Sequence, residues 1–68
     1  MKQVSGKAFL KAAQAHGWTL NRIKGSHHIM TKEGEEAILT IPVHGNQPLK
    51  IGLLRALMKQ AHLTENDL

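Results

Sequence analysis

Gly25-Ser26-His27-His28 is the stretch of this chain best equipped for chemistry. A glycine–serine pair of the kind that closes a two-residue hairpin delivers two histidines onto the start of a strand. Imidazole is the only side chain whose unperturbed pKa lets it take and give protons near neutral pH. Nine Lys and Arg against five acids give the chain a formal charge of +4, so these histidines stand among cations. A proton-transfer group beside cations suits a phosphate-bearing polymer. RNA supplies its own nucleophile, the 2′-hydroxyl, once a base removes its proton.

Each candidate residue also has a plainer reading. By spacing alone, His27 is either a solvated hairpin residue or a general acid or base, a role that contributes about 10²–10⁴-fold. His28 follows on the same strand, where neighbouring side chains point to opposite faces. The two therefore cannot act as a simple pair, and His28 reads as structural. The same alternation makes them poor joint zinc ligands. Without cysteine, a zinc site from His27, His28 and His44 is not expected, and no cofactor is. His44 is a loop histidine, or a complementary acid or phosphate contact if it shares the sheet face of His27. His16 and His62 fall near helix C-termini, where a positive imidazole meets the negative helix end.

Lys24 precedes the turn and is the cation best placed to neutralise a phosphate beside His27. Arg22, two residues earlier, shares its strand face. Lys50 opens a helix, where free N–H groups favour anions. Together Arg22, Lys24 and Lys50 form the expected backbone track; the alternative is a solvated basic face. Ser26 shapes the turn through its hydroxyl or donates to a phosphate. No nearby acid would complete a serine triad.

The elements that must hold these residues follow from periodicity. Ser5 is an expected N-cap for a helix running to about His16. On that helix Phe9, Leu10, Ala12, Ala13 and His16 share one side. Gly17 suits a left-handed helix end, and Trp18 next to it reads as core. Strands are expected over 18–24, 27–32 and 37–43, joined by the Gly25-Ser26 turn and the acidic turn 33–36. Pro42 sits near the end of the third, where a missing N–H is tolerable. A loop at 45–48 leads to a helix over about 50–62, with an apolar stripe of Ile51, Leu54, Leu57, Met58 and Ala61. Leu53 falls at its edge. The tail 64–68 is ordered only if something holds it.

A helix, three strands and a helix give an α+β class fold. The simplest arrangement is a three-stranded antiparallel meander with both helices on one face, the α-β-β-β-α architecture of the double-stranded-RNA-binding domain (dsRBD-like). Sixty-eight residues make one domain, 1–68, with a thin core and a site on an exposed face. The lack of cysteine excludes disulfides and is compatible with a cytoplasmic protein. No apolar run approaches the roughly 20 residues of a membrane span, and the N-terminus lacks the long apolar region of a signal peptide. Eight of the nine cations, Lys2, Lys7, Lys11, Arg22, Lys24, Lys50, Arg55 and Lys59, are spread along the chain, whereas the acids gather at 33–36 and 65–67. Phe9 and Trp18 are the only aromatic residues, too few for a base-stacking platform.

With these pieces in order, the chain resembles the HicA family of toxins from bacterial toxin–antitoxin pairs. The resemblance is carried by His16-Gly17-Trp18, Gly25-Ser26-His27-His28, Ile41-Pro42-Val43-His44 and Leu49-Lys50-Ile51-Gly52-Leu53-Leu54-Arg55. It implies a dsRBD-like fold, metal-independent endoribonuclease action on mRNA, and a HicB-type antitoxin as protein partner. It maps the family's catalytic histidine onto His27. The family often has Thr at position 53 and Gly at position 62, where this chain has Leu53 and His62. The other reading of fold and charge is a non-catalytic double-stranded-RNA-binding module.

Overall fold

A computed structural model describes residues 3–68; Lys2, counted above among the cations, lies outside them. The chain forms α1 (Gly6–Ala15), β1 (Thr19–Lys24), β2 (His27–Thr31), β3 (Leu39–Pro42) and α2 (Ile51–Ala61), then a 3-10 turn at Glu65–Asp67. The strands make one antiparallel sheet in the order β1-β2-β3. The architecture is α-β-β-β-α, of the α+β class and dsRBD-like.

Helix α1 begins where Ser5 accepts a hydrogen bond from the Ala8 amide at 3.1 Å, satisfying one of the free N–H groups of the first turn. Its end is closed by Gly17 at φ 96. The amides of Gly17 and Trp18 donate to the carbonyls of Gln14 and Ala13, a Schellman closure. Helix α2 ends the same way. The amides of His62 and Leu63 donate to Lys59 and Met58, but the left-handed position (φ 59) is filled by His62 instead of glycine. His62 contacts Glu35 of the β2–β3 turn through Nε2 at 2.9 Å.

The core joins Phe9 and Ala13 of α1, Met30, Leu39 and Ile41 of the sheet, Leu54, Leu57 and Met58 of α2, and Trp18. Both helices thus cover one face. Trp18 is buried and donates its indole N–H to the Ala61 carbonyl at 3.4 Å, which joins the end of α2 to the start of β1. Gly6 is buried because a Cβ there would run into the Pro42 carbonyl oxygen, with the Val43 Cα only 3.2 Å away. The start of α1 therefore touches the end of β3.

Three expectations need adjustment. The third strand covers 39–42, not 37–43, and Ile38 is 57% exposed. Ile51, the first residue of α2, is 42% exposed instead of joining the buried stripe. His16 is exposed instead of sharing the buried side of α1, and its Nε2 lies 3.3 Å from Asp67. That contact helps hold the tail. The Thr64 amide and hydroxyl also donate to the Asp67 carboxylate, at 2.7 and 3.1 Å.

Candidate active site

Gly25 at φ 61 and Ser26 turn the chain directly from β1 into β2. Residues opposite each other on antiparallel strands share a sheet face. Lys24 is opposite His27, and His27 is opposite Pro42. These three make a row across the face that the helices leave open. Arg22, Ile29 and Thr40 make the next row. Ile23, His28 and Ile41 lie between them in register on the opposite face, where Ile41 is buried, His28 half-buried and Ile23 56% exposed. His27 is exposed and His28 half-buried, so the two histidines diverge as alternation requires.

Arg22 reaches the open face because β1 is bulged. The register shifts between Leu20 and Arg22, so two residues, Asn21 and Arg22, occupy the space of one. Leu20 stays on the core side opposite Met30, while Arg22 moves to the side of Lys24 and His27. The Thr31 hydroxyl donates to Asn21 Oδ1 at 3.0 Å, pinning the bulge.

The carbonyl of Ser26 accepts the Val43 amide at 2.8 Å and lies 3.3 Å from His28 Nδ1. Ser26 shapes the turn through this backbone oxygen. The bond also fixes the exit of β3 against the turn, and that exit leads straight to His44. Beyond it, a groove of about 330 Å³ is lined by Pro42, His44, Gln47, Leu49, Lys50 and Leu53. Pro42 belongs to both the His27 row and this groove. The structure thus gathers His27, Lys24, Ser26, His44 and Lys50 at one end of the sheet, with Arg22 one row back.

Sequence reasoning missed Pro42 as the link between row and groove, and Gly6 as the contact that seats it. The signal for Gly6 is a glycine directly after a capping serine, at a helix position where alanine is ordinarily better. A larger hollow of about 630 Å³ lies between α1 and the tail, lined by Ser5, Ala8, Lys11 and Asp67 among others. It contains none of the expected site residues. Among the described residues, no three His, Cys, Asp or Glu side chains gather as a metal site, and no helix is long and apolar enough to cross a membrane.

No curated protein matches this sequence. The model of a family described as the HicA toxin of bacterial toxin–antitoxin matches residues 6–63, from the first residue of α1 past the end of α2. That span contains the whole sheet, the histidine turn and the groove. The chain therefore belongs to the HicA toxin family, whose members act as the toxin beside a cognate antitoxin.

Proposed function

We propose that this toxin is a metal-independent endoribonuclease that cleaves mRNA and so blocks translation in the cytoplasm, with His27 as its proton-transfer group. The observation that carries the reading is the row Lys24–His27–Pro42 on the open face, continued by the groove of His44 and Lys50. Family membership supports the toxin role.

The chemistry needs few groups. The RNA 2′-hydroxyl loses its proton and attacks the adjacent phosphorus, and the bond to the 5′-oxygen breaks. Imidazole at position 27 can take the first proton or supply the one the leaving oxygen requires. Lys24 neutralises the phosphate beside it. Arg22, Ser26, His44 and Lys50 hold the flanking backbone. Lys50 also stands at the N-terminus of α2, where free amides attract anions. Phosphate contacts position the strand without reading its bases, so cleavage is sequence-relaxed. A HicB-type antitoxin would inhibit by covering this end, and acidic groups on it would speed the encounter.

The test is RNA cleavage by wild type and His27→Ala in excess chelator, with both folds checked by circular dichroism. Cleavage by wild type alone supports the reading. If folded wild type binds RNA without cleaving it, the protein is a binding module. Equal cleavage by both would move the catalytic group elsewhere.

A further inference from the structure

We propose that His28 is the positioning residue of this site: its Nδ1–H, bonded to the Ser26 carbonyl, holds the turn that aims His27. This rests on the reading of His27 as the proton-transfer group. His28 is half-buried on the sheet face opposite His27, in register with Ile23 and Ile41, and so points away from RNA lying on the open face.

The Ser26 carbonyl has two lone pairs and two partners. The Val43 amide, from β3, occupies one at 2.8 Å. His28 Nδ1, from β2, approaches at 3.3 Å. A carbonyl only accepts, so Nδ1 carries the hydrogen and the neutral ring keeps its lone pair on Nε2. Protonation of the ring leaves the Nδ1–H in place, so the contact does not depend on the charge of His28.

The geometry explains why a second histidine follows the first. Gly25 and Ser26 alone separate β1 from β2, and His27 is bonded directly to Ser26. A strand end beside a two-residue turn frays unless its carbonyls are held. Here a side chain one residue beyond His27 reaches back behind it, on the opposite sheet face, to hold the carbonyl just before it. The same oxygen fixes Val43, so the contact also sets where His44 leaves the sheet. Proton transfer depends on sub-ångström placement, and a shift of about 1 Å can cost about 10²-fold.

His28→Asn and His28→Phe separate the roles. The Asn side-chain N–H falls close to the position of Nδ1 and can donate to the same carbonyl. Phe keeps the ring and loses the donor. We expect His28→Phe to lower kcat about 10²-fold with KM for RNA nearly unchanged. His28→Asn should restore most of kcat, with the pH profile of wild type. Amide exchange at Val43 should quicken in His28→Phe and not in His28→Asn, a readout that needs no ribonuclease activity. A His28→Phe protein that keeps wild-type kcat and Val43 protection would overturn the proposal. So would a folded His28→Asn as slow as His28→Phe. If wild type does not cleave RNA, the reading of His27 fails, while the exchange data still test the contact to Ser26.

Discussion

At the residue scale, two side chains, His62 and Asp67, carry stability effects of opposite sign. His62 holds a left-handed backbone position, which costs a residue with a Cβ about 1 kcal/mol or more. Its exposed contact to Glu35 returns about 0–1 kcal/mol. His62→Gly should therefore raise stability in urea unfolding by up to about 1 kcal/mol, and His62→Ala should not. A clear loss in His62→Gly would mean that the Glu35 contact outweighs the backbone strain. Asp67 is the second. Its carboxyl is held below its ordinary value, chiefly by the Thr64 amide, then by the Thr64 hydroxyl and the charge of His16, against an opposing effect of burial. Because the folded value is depressed, the bound tail gains stability above the unfolded carboxyl value near 3.8. That gain disappears as pH falls through the lower folded value. Protection of the Thr64 amide from exchange, taken relative to its intrinsic rate at each pH, should fall on acidification below about pH 4, and in Asp67→Asn this acid step should be absent.

At the element scale, the seating of α1 against β3 decides where the site lies. Gly6→Ala would ordinarily favour a helix. Here the new methyl meets the Pro42 carbonyl, and overpacking of this kind costs about 1–3 kcal/mol. Urea unfolding should show that loss; a gain would mean that the helix start yields freely. The order of elements and the two glycine turns were legible in the sequence because each rests on local chemistry: Ser5 as cap, Gly17 as helix end, Gly25-Ser26 as hairpin. The divergence of His27 and His28 follows from strand alternation alone, and so it too was readable. The bulge was less so. Leu20 packs on the core, and unbroken alternation would have turned Arg22 to that same side. Alternation correctly paired Arg22 with Lys24 but gave no sign that Asn21 was needed to turn them outward. Ile51 looked like part of the apolar stripe because helical period cannot show which turn of a helix packs on the core. The anchoring of the tail depends on a contact between His16 and Asp67, far apart in sequence, which no local pattern encodes.

At the scale of the whole molecule, charge is sorted by element. The acids lie in the β2–β3 turn and the tail, and neither meets the Gly25-Ser26 turn. The end of the sheet that carries His27 also carries Lys24, Lys50 and the N-termini of both helices, whose dipoles add partial positive charge. If RNA is held at this end by a local track, position must matter more than net charge. Lys24→Glu with Lys50→Glu removes the whole formal charge of +4. So does Lys11→Glu with Lys59→Glu, on exposed helix positions outside the track. The first pair should lose RNA binding and most of its salt dependence, because single-stranded contacts give a slope of about −0.7 per phosphate neutralised. The second pair should weaken long-range attraction and slow association, while keeping a slope close to that of wild type. Equal losses in the two pairs would mean that the chain attracts RNA by overall charge, with no track beside His27. A large loss in the second pair alone would shift the binding surface to the exposed sides of the helices, away from the histidine turn.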